Sequence, residues 1–286
     1  MAVRDRTGRD YAARIARAMT LVTARADDPP GLEELAATAA FSPFHFHRVY
    51  RAIAGETPAE TAARARLQGA AIALLKGGET VAAVARRAGY GSQAAFTRAF
   101  RAAYGLPPSA YRARGGLGFP MRSDSDKEST MFEVTIRGTT PLHLAAIRHT
   151  GPYDRIGEAF GRLQAWAAGR GLMRSRTRAV ALYHDDPRSV PAAQLRADAG
   201  LTVGPEVPGE GEVTLLDVPG FARVASLVFK GPYAELERAY NWMYRSWLPG
   251  SGEEPADAPV MEEYLNDCRM LPPAEWLTEI LVPLRE

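Results

Sequence analysis

The sequence contains a single cysteine, Cys268, among its 286 residues. One cysteine cannot form a disulfide within the chain, which fits a reducing compartment better than a disulfide-stabilised secreted protein. No run of 18 apolar residues occurs, and the opening residues MAVRDRTGRD contain no apolar leader core. We therefore expect a cytoplasmic protein with neither a signal peptide nor a membrane partner.

Signatures of metal binding and catalysis are also missing from the sequence. The five histidines stand at positions 45, 47, 143, 149 and 184, without the spacing of a structural zinc site. Neither a Walker loop nor a nucleophile elbow is present. From the residues alone we predict no metal site, no cofactor and no enzymatic activity.

What is present is an uneven distribution of charge. Residues 1–114 hold 17 Lys and Arg against 9 Asp and Glu, a net charge of +8. The whole chain has 35 basic and 33 acidic residues, which leaves 18 and 24 for residues 115–286, a net charge of −6. A basic half suits a polyanion such as DNA, whereas an acidic half needs a different role. The length and the 46% hydrophobic content predict two folded domains.

The basic half contains an internal repeat. In each copy, apolar residues recur at the i, i+3, i+4, i+7 spacing of a short helix, and a second apolar helix follows. Ser42 and Ser92 precede the second helices, and Gly55 and Gly105 end them, at a constant offset of 50 positions. Two short helices joined by a tight turn and present twice predict a double helix-turn-helix.

Two further helices are predicted around the repeat. Apolar spacing in residues 10–26 indicates a first helix that packs on the first motif. Between the motifs, Thr57 to Glu60 reads as a capping box that starts a helix ending near Lys76. The 19 residues of this connector would span about 28 Å. Successive major-groove faces lie about 34 Å apart, so this length suits two helices on one face of DNA.

The polar face of each second helix carries candidate DNA contacts. They are Phe44, His47, Arg48 and Arg51 in the first copy and Gln93, Thr97, Arg98 and Arg101 in the second. Arginine and glutamine suit base edges in the major groove, arginine also suits phosphate, and a phenylalanine suits thymine methyls. For either helix alone, the alternative is an ordinary solvated polar face. The duplication in register favours DNA binding.

The strings SPFHFHRVYRAIAGETP and SQAAFTRAFRAAYGLPPSAYR resemble the DNA-binding domain of the AraC family of transcription regulators, over roughly residues 8–114. The resemblance implies that the second helix of each motif enters the major groove of double-stranded DNA, with RNA polymerase as a further partner. Phe44, His47, Arg48, Gln93, Thr97 and Arg98 match family contact positions. Ala94 and Ala95 stand where many members carry polar side chains, so the second helix is expected to specify less.

The acidic half predicts a different fold after a linker. Residues 115–130 are rich in glycine, serine and charge, which is typical of a flexible linker between domains at 1–114 and 131–286. Residues 145–166 match 225–247 from a starting offset of 80, with one more residue in the second copy, and share an apolar strand, Gly-Pro-Tyr and a helix. Two strand-like runs follow each helix, at 179–183 and 195–203, then at 260–265 and 276–282. This pattern predicts an α/β domain of two pseudo-symmetric strand–helix–strand–strand repeats.

The strings LYHDDPRSVPAAQLRAD, VMEEYLND and AEWLTEILVPL resemble the GyrI-like small-molecule-binding domain, over about residues 131–286. The resemblance implies an aromatic cleft between the repeats and a glutamate that meets a cationic ligand. The Glu-x-Tyr pattern of the family falls on Glu262 and Tyr264, and strand alternation puts Glu263 on the opposite face. Trp166, Tyr183 and Trp242 are candidate wall residues, for which core packing is an equally good reading.

These observations lead to one main hypothesis. The chain is expected to be a DNA-binding transcription regulator whose C-terminal pocket senses lipophilic, cationic small molecules, as multidrug-responsive regulators do. One alternative is a protein that sequesters drugs, or hydrolyses electrophilic drugs with Glu262. Another is a GyrI-like protein that binds other proteins.

Overall fold

The computed structural model describes residues 2–115 and 131–286. The N-terminal region is all-helical, with α1 Ala2–Ala24, α2 Leu32–Thr38, α3 Pro43–Ala54, α4 Pro58–Lys76, α5 Val81–Arg87, α6 Gln93–Tyr104 and α7 Pro108–Ala113. Helix α1 begins earlier than its apolar pattern predicts. The predicted linker, residues 115–130, lies outside the described residues except for Gly115.

The two helix-turn-helix motifs have matching dimensions. Helices α2 and α5 have 7 residues each, and α3 and α6 have 12 each. Both second helices end at a glycine with φ of 74°, Gly55 and Gly105, a left-handed conformation that favours glycine. The predicted double motif is confirmed.

Helix capping follows the sequence in part. The side chain of Thr57 accepts a hydrogen bond from the Glu60 amide, and the Glu60 carboxylate accepts one from the Thr57 amide at 2.7 Å. This capping box starts α4 where it was predicted. Ser42 and Ser92 have side chains suited to capping α3 and α6. Ser92 accepts from the Ala95 amide at 3.2 Å, whereas Ser42 makes no side-chain cap bond to α3.

The C-terminal region is one antiparallel sheet with helices on one face. The strands are β1 Thr135–Arg137, β2 Leu142–Thr150, β3 Ala179–Tyr183, β4 Arg196–Thr202, β5 Thr214–Val218, β6 Val224–Lys230, β7 Val260–Tyr264 and β8 Leu277–Pro283. Their order is β1-β6-β8-β7-β3-β4-β2-β5. Read outward from the central β3–β7 pair, the two halves have the same connectivity, which confirms the pseudo-symmetric repeats. The edge strands β1 and β5 are largely exposed and lack the apolar pattern that predicts the others.

Each repeat places its helix on the same face of the sheet. Helix α8, Ile156–Gly169, packs on β2 and β4. In the second repeat, α9 Leu236–Asn241 continues through a π-helical turn, Trp242–Trp247, into α10 Leu248–Ser251. A cleft remains between the two helical layers, above the central strands. None of the helices in residues 2–115 and 131–286 is both long and apolar enough to cross a lipid bilayer.

One hydrophobic core joins the first motif to the C-terminal domain. Tyr11, Ile15 and Phe46 belong to the same buried cluster as Met243 and Leu248. The second motif has a separate core, built from side chains of residues 67–111. The first motif is therefore packed on the sheet domain, and the second motif is not part of that core.

Polar contacts reinforce the interface between α1 and the C-terminal domain. The Tyr11 hydroxyl donates to the Glu253 carbonyl oxygen at 2.7 Å. The guanidinium of Arg14, which is buried, donates to the Glu254 carboxylate at 2.8 Å. These bonds fix the direction in which α1 lies across α10.

Candidate functional site

A cleft of about 1300 Å³ opens between α8 and α9, with β3 and β7 as its floor. Its walls are mainly aromatic and apolar, which is typical of small-molecule sites. The aromatic side chains that line it are Tyr153, Phe160, Tyr183, Tyr233, Tyr240, Tyr244 and Tyr264. The cleft therefore offers many ring faces and hydroxyl groups to a ligand.

The aromatic lining follows from the internal repeat. Tyr153 and Tyr233 are the tyrosines of the two Gly-Pro-Tyr motifs, and each begins a short 3-10 helix. Phe160 and Tyr240 occupy matching positions on α8 and α9. The two members of each pair face the cleft from opposite sides, because the two repeats are related by pseudo-symmetry.

Glu262 lies on β7 at the bottom of the cleft and is only 4% exposed. Tyr240 donates its hydroxyl to Glu262 Oε1 at 2.7 Å, and Tyr264 donates to Oε2 at 3.2 Å. The Tyr264 hydroxyl also lies 2.9 Å from that of Tyr183. Burial raises the pKa of Glu262, while the tyrosine hydrogen bonds act in the opposite direction.

Glu263 has a different environment. It points to the other side of the sheet, where its carboxylate accepts a hydrogen bond from Arg178 Nε at 2.6 Å. Strand alternation thus separates the two neighbouring glutamates as expected. Tyr264 and Tyr183 line the cleft together with Glu262.

The tryptophans Trp166 and Trp242 lie outside the cleft lining, so their prediction as wall residues is wrong. Trp166 packs beside the core under α8, with the Arg170 guanidinium 4.8 Å from its ring centroid. Trp242 donates its indole N–H to the Phe132 carbonyl oxygen at 2.9 Å. Both tryptophans are on helix sides turned away from the residues that line the cleft.

Sequence reasoning missed Tyr153, Phe160, Tyr233, Tyr240 and Tyr244 as cleft residues. The signal for four of them was present in the repeat, since the Gly-Pro-Tyr motifs and the helix positions recur in both halves. These four residues are aromatic at matching positions of the two repeats, and all four line the cleft that the repeats share. Tyr244 has no such signal, because the position 80 residues earlier is Gln164.

The second motif presents its predicted DNA-binding face to solvent. Gln93, Arg98 and Arg101 are exposed on α6, and Thr97 is half-buried. The core side chains Phe96 and Phe100 point the other way. This arrangement leaves the polar face of α6 accessible to the major groove of DNA.

The first motif presents the equivalent face to the C-terminal domain. Arg48 is only 5% exposed, and it donates through Nη2 to the Asp185 carbonyl oxygen at 2.9 Å. Arg51 donates to Asn241 Oδ1 at 3.3 Å, and the Phe44 ring lies 6.0 Å from that of His184.

The burial of this face extends to His47 and to the cleft itself. Burial lowers the pKa of His47 below its ordinary value. Arg48, Arg51 and Ala52 also line the cleft. Contacts of this face with DNA remain a prediction, and they require it to leave the C-terminal domain.

Family models match both regions of the chain. A model described as the GyrI-like small molecule binding domain matches residues 132–285. The chain belongs to the GyrI-like family. A helix-turn-helix domain model matches residues 35–114, and this N-terminal domain is of the AraC type.

Individual relatives match one region or the other. A DNA gyrase inhibitor from Edwardsiella piscicida is 33% identical over 159 residues, which cover 54% of this chain and 99% of that protein. The HTH-type transcriptional regulator YbfP of Bacillus subtilis (strain 168) is 36% identical over 106 residues, which cover 37% of this chain and 34% of that protein. The crystal structure of the EcmrR C-terminal domain is 17% identical with a TM-score of 0.46, covering 55% of this chain and 99% of that one.

Proposed function

We propose that the chain is a one-component transcription regulator, in which the AraC-type domain binds an operator and the GyrI-like cleft binds the effector. The single observation that carries this proposal is the aromatic cleft lined by α3, a helix of the DNA-binding domain. A ligand in this cleft lies against the helix whose access to DNA it would control. Residues 1–114 and 131–286 are the two functional units, and RNA polymerase is a further partner in the cytoplasm.

We infer that the effector is lipophilic and carries a positive charge. Seven aromatic rings line the cleft, which favours apolar burial and cation–π contact. The carboxylate of Glu262 is buried at its floor, and a buried carboxylate is costly unless a positive charge or strong donors meet it. A cation with aromatic groups satisfies both features.

A gel-shift titration of the full chain on its own upstream DNA tests this proposal. The measurement uses a fixed ionic strength of about 0.15 M, because salt screens phosphate contacts. Tetraphenylphosphonium serves as the cationic probe and triphenylphosphine oxide as a neutral one. We expect specific DNA binding that tetraphenylphosphonium alters more than the neutral probe does. Absence of specific DNA binding, with and without the probes, would reject the regulator function.

A second candidate function is binding to another protein. It is favoured by the match to a DNA gyrase inhibitor over 99% of that protein's length. A gyrase supercoiling assay with residues 131–286 and with the full chain separates this candidate from the regulator. Turnover of an electrophilic probe that is lost in Glu262→Gln would instead indicate a hydrolase.

A further inference from the structure

The equivalent arginines of the two motifs have opposite environments. Arg98 on α6 is exposed, whereas Arg48 on α3 is 5% exposed and lies inside the GyrI-like cleft. The two positions arose from the same repeat, so their sequence context is nearly the same. The difference is caused by what α3 packs against.

Arg48 has the surroundings expected for a bound organic cation. Its guanidinium carbon lies 5.5 Å from the ring centroid of Tyr240 and 5.9 Å from that of Tyr244. The same Tyr240 donates its hydroxyl to Glu262. The positive charge of Arg48 also opposes the rise in the pKa of Glu262 that burial causes. Arg48 thus supplies positive charge to the buried carboxylate from within the chain.

We propose that Arg48 occupies the cation subsite of the cleft, so that a cationic effector and docked α3 exclude one another. Effector binding then releases α3 for DNA. This inference rests on the proposed function, which supplies the cationic effector.

Electrostatics make the two occupants exclusive. Ionised Glu262 carries one negative charge, and a second cation beside the buried guanidinium of Arg48 would meet a like charge where solvent screening is weak. The cation–π faces of Tyr240 and Tyr244 are likewise already used by the guanidinium. An effector that binds to Tyr240, Tyr244 and Glu262 replaces the contacts that stabilise Arg48 in the cleft.

The contacts that hold the DNA-binding face of α3 are largely polar and can be exchanged for water. Arg48 donates to Asp185, and Arg51 contacts Asn241 and Glu237. Release also disturbs the hydrophobic core that joins Phe46 of α3 to Met243. It exposes His45 and Tyr244 as well, which are buried against each other with Nδ1 and the hydroxyl 2.7 Å apart. That apolar cost keeps the docked form dominant without effector.

The proposal sets the direction of regulation. In the docked form only α6 presents its polar face, while the released form presents α3 as well. A ligand that binds only the released form shifts the population towards it, and DNA that needs both helices shifts it the same way. The effector therefore strengthens DNA binding.

Probe binding to the full chain in the absence of DNA tests the competition. We expect Arg48→Gln to bind tetraphenylphosphonium roughly tenfold more tightly than wild type. This factor corresponds to a wild type in which Arg48 occupies the subsite in about nine of ten molecules. The affinity for triphenylphosphine oxide should change less. Arg86→Gln, which removes an exposed charge on α5, should leave both affinities unchanged. Equal or weaker binding of the cation by Arg48→Gln overturns the proposal.

Glu262→Gln separates failure of this inference from failure of the proposed function. If Glu262→Gln weakens the binding of tetraphenylphosphonium but Arg48→Gln does not strengthen it, only the proposed competition is wrong. If neither probe binds, or both bind without regard to Glu262, the cationic effector is wrong and the inference falls with it.

Hydrogen exchange measures the release directly. Saturating tetraphenylphosphonium should increase amide exchange in α3, residues 43–54, while α6, residues 93–104, serves as the internal reference. Greater exchange confined to α3 supports release. Unchanged or slower exchange in α3 with the probe bound contradicts it, whatever the affinity of the Arg48→Gln variant.

Discussion

Ala181 and Glu262 are paired directly across the two central strands, β3 and β7, where the repeats meet. Tyr183 and Tyr264 stand two residues further along the same strands, and their hydroxyls lie 2.9 Å apart. The tyrosines preserve the pseudo-symmetry, whereas the alanine and the glutamate break it. The cleft therefore has a symmetric aromatic floor in which Glu262 is the carboxylate of the two central strands, and the proposed cationic effector would meet it there.

Glu262→Gln should weaken binding of tetraphenylphosphonium by about 1.5–3 kcal/mol, the usual range for a hydrogen bond or contact with a charged group. The binding of triphenylphosphine oxide should weaken much less, because glutamine keeps the shape of the side chain and removes only its charge. Calorimetry with both probes measures the difference. Glu263→Gln is the matched control, since Glu263 contacts Arg178 on the opposite face of the sheet.

Two outcomes would change the assignment of Glu262. Equal losses for the cation and the neutral probe would remove its electrostatic role. A larger effect at Glu263 would mean that the effector binds on the other face of the sheet.

Tyr240→Phe should move the pH at which cation binding is lost to a higher value. The cation needs ionised Glu262, and burial already raises the pKa of that carboxyl above its ordinary value. The Tyr240 hydroxyl stabilises the ionised form, so its removal raises the pKa further and affinity is lost sooner as pH falls. Titration of tetraphenylphosphonium binding from pH 8 downward gives the midpoint. A midpoint equal to that of wild type would show that this hydrogen bond does not support the charge.

The sequence predicted most of the elements and the face of Glu262, but neither the edge strands β1 and β5 nor the docking of α3. Internal repeats are visible because both copies keep the same local pattern, and strand alternation alone places Glu262 beside Tyr264. The polar face of α3 satisfies the same pattern whether it meets DNA or another domain. Local sequence therefore cannot distinguish Arg48 from Arg98, and only the tertiary packing does. Trp166 and Trp242 were misplaced for a related reason, since an aromatic residue on a helix suits a core and a cleft wall equally.

Arg98→Ala should weaken specific DNA binding by about 1–3 kcal/mol if the Arg98 guanidinium makes two hydrogen bonds to one base. Without effector, Arg48→Ala should have a smaller effect, because α3 is covered by the C-terminal domain. Arg101→Ala should instead reduce the salt dependence, as expected for a phosphate contact. Gel-shift titrations at several salt concentrations measure all three. If folded Arg48→Ala and Arg98→Ala both bind the operator as tightly as wild type with effector present, these helices are not the readers.

His45 should make the contact between the first motif and the C-terminal domain sensitive to mild acid. His45 lies on α3 and is buried against Tyr244. This burial lowers the pKa of His45 from 6.5 to about 3. Below pH 6.5 the unfolded chain binds a proton that the native chain does not, so stability falls as pH decreases. The loss is about 1.4 kcal/mol per pH unit from this group alone.

Urea unfolding at pH 7.5 and at pH 5.5 measures this dependence, in a range where exposed carboxylates remain ionised. His45→Gln is the comparison, because glutamine keeps a hydrogen-bonding group for the Tyr244 hydroxyl and does not titrate. We expect wild type to lose roughly 1.4 kcal/mol more than the variant between the two pH values. Other histidines, including His47, contribute equally to both proteins and cancel in the difference. The same loss in both proteins would show that His45 takes up a proton without disturbing the interface.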